Sequence, residues 1–395
     1  MEGSLRPRRA RAPWVLPAML AAVLAASLPL PARAQERERD PGEAGPPRSW
    51  SFPADHAAHP AFSTEWWYLT GHLEGARGDR FAVQAVFFRQ ALPRRPGAPE
   101  GWEPPVLYPA HLAVTDLREG TFTVEEVLGR ELGGGAGARE DTLDVRTRGW
   151  SLRARPDGTW RLRAGRLDPD AGGTGLDLLL TPREGPLLHG EGGYSVKDPG
   201  AGQTAASWYY SIPRVGARGR LVRGGGEERV EGVLWFDHEF FSTGILTALE
   251  GWDWFGLRLD EGGSLMVARV RSGGREHLWG TWRGPDGEVR TLEEGEIRLE
   301  PRRWWTSPDG RARYPVAWYL EALPAGVEAV VSADLPASEL RTERSVLTRY
   351  WEGSVRVRRA GAPEGAGRIG EGFLEMTGYA GPIHPPDGRP PGGSR

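Results

Sequence analysis

Short apolar runs alternate with polar residues from about residue 50 to residue 380, and Gly, Pro and Asp interrupt them every few positions. Trp160-Arg161-Leu162-Arg163-Ala164 alternates cleanly, and Leu176-Asp177-Leu178 does so ahead of a short apolar run. A period of two places successive side chains on opposite faces of a β-strand. Pro156-Asp157-Gly158, Pro285-Asp286-Gly287 and Pro308-Asp309-Gly310 have the chemistry of tight turns. Pro presets φ, Asp bonds its own backbone, and Gly accepts a positive φ. Alternating runs joined by such turns predict an all-β fold of antiparallel barrels or sandwiches. With 56 Gly and 34 Pro, long helices are not expected. The one helix predicted is short, around Pro336 to Leu340.

A chain of 395 residues exceeds one ordinary core and predicts two domains. The boundary is placed after the strand that ends near Phe240, giving a first barrel over 49–242 and a second over 243–382. Residues 35–48 are charged and rich in Pro and Gly, and read as a linker; residues 383–395 read as a disordered tail. Residues 1–34 read as a signal peptide. Arg6, Arg8, Arg9 and Arg11 form a basic region, Trp14 to Leu30 an apolar one, and Ala32-Arg33-Ala34 a small-x-small cleavage site. The expected mature chain starts near Gln35 and is exported to a periplasmic or extracellular location; a retained anchor is the competing reading.

The segment Glu65-Trp66-Trp67-Tyr68, read as a strand, sets Glu65 and Trp67 on one face and Trp66 and Tyr68 on the other. Aromatic residues on both faces predict that both are covered, as in a barrel wall pressed against a second domain. Trp needs a large pocket and a partner for its N–H. Seventeen of them imply a large aromatic core or a cavity for an apolar ligand.

Several motifs occur in a recognisable order: His59 to Leu73, Phe81 to Arg89, Ala206-Ser207-Trp208-Tyr209-Tyr210-Ser211, Trp235 to Phe240, Gly251 to Phe255, Tyr350-Trp351-Glu352-Gly353, and Leu374 to Tyr379. In this order they resemble the AttH/carotenoid 1,2-hydratase-like family over residues 50 to 380. The resemblance implies two lipocalin-like antiparallel β-barrels packed side by side. It also implies a protein that binds a hydrophobic, isoprenoid or lipid-like ligand and could hydrate a C=C bond. The alternative it implies is a non-catalytic carrier working with an ABC-type export permease, with peripheral membrane contact. Phe240 stands where the family often has Trp.

On the strand through Trp235, that residue shares a face with Asp237 and Glu239, while His238 points with Leu234, Phe236 and Phe240. Asp237-His238-Glu239 therefore cannot close on one metal ion. His238 is either a core histidine or a proton donor or water positioner beside a ligand. Asp253 shares its face with Phe255, Leu257 and Leu259. Desolvation there favours the neutral acid, which can protonate an alkene; the competing reading is a buried carboxylate paired with Arg. The expected catalytic residues are Asp253 and His238, and the expected ligand-binding residues are Trp66, Trp67, Tyr68, Trp235, Trp252 and Trp254. Arg89 is a candidate partner for Glu65. Asp55, His56, His59 and His72 have no tight chelate spacing, so neither a metal nor another cofactor is expected. No Gly-x-Ser-x-Gly elbow supports a serine hydrolase.

Composition removes further classes. The formal charge of −3 gives no case for nucleic acid. Of 50 basic residues only Lys197 is lysine, a bias that reads as GC-rich coding rather than phosphate binding. The lack of Cys excludes disulfides and thiolate chemistry.

Overall fold

The computed structural model describes residues 45, 48–92, 106–131, 134–200, 205–242, 249–345, 349–363 and 365–381. The expected signal peptide, most of the expected linker and the expected C-terminal tail lie outside these residues. The fold is all-β, with 63% strand.

The first sheet opens with a meander of β1 (Thr64–Gly75), β2 (Arg80–Ala91), β3 (Val106–Asp116) and β4 (Thr121–Arg130). Five shorter strands follow: β5 (Ala136–Ala138), β6 (Asp144–Thr147), β7 (Trp150–Ala154), β8 (Trp160–Gly165) and β9 (Gly175–Pro182). The short β10 (Leu187–Leu188) and β11 (Tyr194–Val196) precede a long hairpin of β12 (Ala206–Arg223) and β13 (Gly226–Phe241). The strand order is β4-β3-β2-β1-β13-β12-β9-β8-β7-β6-β5, with β10 and β11 paired to β12. Its two ends meet to make a near-closed barrel. Thr147 Oγ1 on β6 donates to the Tyr108 carbonyl on β3 at 2.8 Å. A Cβ at Gly129 would stand 2.3 Å from that Thr147 oxygen, so only glycine lets β4 approach so closely. Trp67, Phe87, Leu112, Leu162 and Phe236 fill the interior, leaving a packed core in place of a calyx.

The second sheet is a half-barrel. Its strands are β14 (Leu249–Leu259), β15 (Ser264–Ser272), β16 (Arg275–Arg283), β17 (Val289–Leu292), β18 (Ile297–Thr306), β19 (Arg313–Ala322), β20 (Val327–Ala333), β21 (Glu339–Arg341), β22 (Arg349–Arg359) and β23 (Arg368–Met376). They run in the order β17-β16-β15-β14-β23-β22-β20-β19-β18, with β21 on β22. The helix expected at Pro336 to Leu340 is not formed. Leu340 is fully buried opposite Tyr350 on β22, and the Pro336 carbonyl accepts the Trp351 indole N–H at 2.7 Å. Pairing with a distant strand outweighs local preference there.

The three Pro-Asp-Gly segments turn as expected, with glycine φ of +80°, +88° and +71°. Trp66 and Tyr68 on β1 and Tyr209 and Trp235 on the hairpin point away from the first core. They pack against Trp254, Met266, Trp279 and Phe373 of the second sheet. The double aromatic face of β1 thus serves two layers: Trp67 belongs to the barrel and its neighbours to the contact between barrels.

Candidate functional site

Between the two sheets lies a cavity of about 190 Å³. Strand alternation builds its wall. Trp66 and Tyr68 come from β1, Tyr209 from β12, Trp252 and Trp254 from β14, and Trp279 from β16. Four carboxyl groups, Asp237, Glu239, Glu352 and Glu375, also face it.

These carboxyls differ in their partners. Asp237 accepts from Ser211 and from the Trp235 indole on one oxygen, and from Tyr209 on the other. Tyr209 in turn accepts from the Trp254 indole at 2.9 Å, so Asp237 organises the aromatic wall. Glu239 pairs with Lys197 at 2.7 Å and accepts from Ser207. Glu352 and Glu375 are direct register partners on β22 and β23. Like-charged groups opposite one another in a sheet repel. Tyr68 donates to Glu352 Oε1, and Trp252 to Glu375. Glu352 Oε2 is buried without a hydrogen-bond partner among the described residues.

Burial raises all three carboxyls that lack a cationic partner. Asp237 is pushed up to about 7, against the pull of its three donors and helped by the Glu239 charge. Glu375 reaches about 8 through burial, opposed by the Trp252 N–H and aided by Asp237 and Glu239. Glu352 lies well above the usual carboxylate range because of burial and then Glu375. Carboxylic acids that keep their proton near neutral pH in an apolar cavity are proton donors in waiting. On the far wall His111 bonds Tyr350 at 2.9 Å and Ser345 at 2.7 Å, and burial lowers it to about 4.

The expected site residues divide between three places. Trp66, Tyr68, Trp252 and Trp254 line the cavity. Trp235 stands behind it, against Trp254, with its N–H on Asp237. Trp67 lies in the first barrel's core, with its N–H on the His56 carbonyl. Asp253 and His238 are not brought together and neither reaches the cavity. Asp253 faces the interior of the second sheet, on the side of β14 opposite Trp252 and Trp254. There it accepts from Arg269 at 2.8 Å, Arg271 at 2.7 Å and Tyr379 at 2.8 Å. Both its oxygens are committed, which corrects its expected role as the acid.

His238 belongs to a network inside the first barrel. Its Nε2 lies 2.8 Å from Glu65 Oε1 and its Nδ1 2.9 Å from the Tyr210 hydroxyl. His59 Nδ1 reaches the same Glu65 oxygen at 2.8 Å, and His56 reaches Tyr210 at 2.7 Å. Glu65 is held down at about 2 by these imidazoles despite full burial, while burial lowers His238. Arg89, opposite Glu65 in register, gives its guanidinium to the Phe62 and Pro60 carbonyls and not to Glu65. His72 stands apart, facing Glu371 and Asp334. His59, Glu65 and His238 present atoms within 4.8 Å of one another and are the one group of metal-ligand type among the described residues. The atoms they present already bond one another, so the cluster fastens the segment before β1 to the barrel.

Asp237, Glu239, Glu352, Glu375 and Lys197 were missed as site residues by sequence reasoning. The available signal was a carboxyl alternating with buried aromatic residues, as where Glu352 shares a face with Tyr350 while Trp351 between them faces the other way.

The sequence matches the AttH-like family over residues 43–379. The chain belongs to that family. An AttH protein from Nitrosomonas europaea, known from a crystal structure, is 32% identical to this AttH-like chain. The match covers 85% of this chain and 98% of that one, with a TM-score of 0.74. Kievitone hydratase from Nectria haematococca shares the fold at 16% identity and a TM-score of 0.63, covering 84% of this chain and 93% of its own. No curated protein matches the sequence.

Proposed function

We propose that this AttH-like protein binds the apolar end of an alkene-bearing ligand in the inter-barrel cavity and adds water across its double bond. The observation that carries the reading is a pair of opposed carboxyls, buried Glu352 and half-buried Glu375, facing an aromatic cavity. The fold shared with a hydratase agrees with it. A cavity of roughly 150 Å³ holds a benzene-sized guest. About 190 Å³ therefore admits a single ring or a short branched alkenyl group, so a longer isoprenoid enters by its end.

The chemistry needs one proton out and one back. The protonated carboxyl of Glu352, through its unpartnered Oε2, gives H⁺ to the less substituted alkene carbon. The neighbouring carbon becomes a cation, which the faces of Trp66, Trp252 and Trp254 stabilise through their quadrupoles. Water attacks that cation, and the proton it releases returns to the carboxylate left on Glu352, relayed by the protonated Glu375 beside it. The pair ends with the same proton count and in its starting form. Tyr68, bonded to Glu352, positions it.

The test is turnover of a short prenyl-type alkene in ¹⁸O-labelled water, read by mass spectrometry. The wild type should yield a labelled tertiary alcohol. Glu352→Gln should lose at least about 10²-fold in rate, the usual worth of a positioned acid. Unlabelled product, or full activity in both Glu352→Gln and Glu375→Gln, rules the mechanism out.

A further inference from the structure

The cavity has two halves that differ in charge. In one, Lys197 lies against Glu239 with its ammonium over the rings of Tyr209 at 4.8 Å and Trp279 at 5.0 Å. Only 12% of that side chain is exposed. Lys197 is the sole lysine of a chain that otherwise uses arginine, so here a compact ammonium fills a box made of one carboxylate and two ring faces. The other half repeats the box without the cation. There Tyr68 bonds Glu352, Trp252 bonds Glu375, and Trp254 packs against the Tyr68 ring. No Lys or Arg among the described residues pairs with either carboxyl. Glu352 Oε2, on a residue only 2% exposed, has no donor among the described residues.

A buried, paired acid with an unfilled acceptor, walled by electron-rich rings, is complementary to a cation that can also donate hydrogen bonds. A neutral alcohol could meet the acceptor but would gain nothing from the ring faces or from the second carboxyl. We propose that this half of the cavity binds a small organic ammonium ion, its nitrogen on Glu352 and Glu375 and its apolar body on the tryptophan faces. The proposal rests on the inter-barrel cavity being the ligand site. It adds a second class of ligand, which competes with a neutral alkene because the alkene needs the proton that the ammonium displaces. Such amines also imitate the charge of the cation formed during hydration, so they act as inhibitors. The cavity volume limits the apolar body to about one ring or its aliphatic equivalent.

Two probes of equal size separate the ideas: 2-phenylethylamine and 2-phenylethanol, titrated against the full chain with tryptophan fluorescence as readout. The amine should bind about tenfold tighter or better, the factor expected from a desolvated cation–π contact beside a carboxylate. Glu352→Gln should erase most of that preference, lowering the amine's affinity far more than the alcohol's. If the alcohol binds as well as the amine, the ammonium proposal fails and the cavity reading stands. If neither probe binds, and a short prenyl alkene does not either, the cavity reading fails with it. A crystal structure with the amine gives a check that needs no variant: the nitrogen should lie within hydrogen-bond distance of Glu352 Oε2, and a nitrogen elsewhere overturns the proposal.

Discussion

Replacing Glu375 with Gln should make the protein more stable in mild alkali, an unusual result for a change in a buried pair. Glu375 is half-buried opposite Glu352, and its proton is held up to about 8 against an ordinary value of 4.5. The folded state therefore binds this proton more tightly than the unfolded chain does. Stability from it is fully present below about 4.5, falls as pH rises, and is gone above about 8. If Glu375 titrated alone, the gap of about 3.5 pH units at 1.36 kcal/mol each would be worth ~5 kcal/mol. Glu352 shares the proton balance, so between about 2 and 5 kcal/mol is expected. Gln keeps the size and is neutral at every pH. Urea unfolding at pH 5, 7 and 9, compared between the two chains, reads the effect. Asp237, raised to about 7, and His59, also raised, contribute slopes of the same sign in both chains and cancel. The carboxylates held low, Glu65 at about 2 among them, act below this range. Wild type and Glu375→Gln should be similar at pH 5, and the variant should be the more stable at pH 9. Parallel stability curves across the whole range would refute a protonated pair.

Asp253→Asn should cost about 3–5 kcal/mol by leaving Arg269 and Arg271 without their shared carboxylate, while turnover per folded molecule is kept; denaturant titration beside the hydration assay checks both. His238→Ala should cost a few kcal/mol by removing the buried imidazole that donates to Glu65 and accepts from Tyr210. Binding of a prenyl-type probe in the cavity should be unaffected, which fluorescence titration of folded protein will show. N-terminal sequencing of exported protein should read from near Gln35, and an intact Met1 in the cytosolic fraction would end the export expectation.

Period-two alternation, turn chemistry and the order of aromatic motifs were enough to determine an all-β double-barrel protein of the AttH-like type. They also assigned side chains to the right faces. Trp66 and Tyr68 do part from Trp67, and Trp235, Asp237 and Glu239 do part from His238, because the pleat is a local property of the backbone. What each face meets is not local. Only the packed structure decided that the Asp237 side of β13 looks onto the cavity while His238 looks into a filled barrel. Asp253 read as an acid among apolar neighbours because its own strand shows only Phe255 and Leu257. Its two arginines arrive from β15, 16 and 18 residues later in the chain. Glu352 and Glu375 lie on separate strands and carry no spacing signal, yet register sets them opposite one another. The carboxyl pair thus exists only after strands from distant parts of the chain have paired and a second sheet has covered them, since burial and mutual repulsion, neither present in the unfolded chain, are what hold their proton.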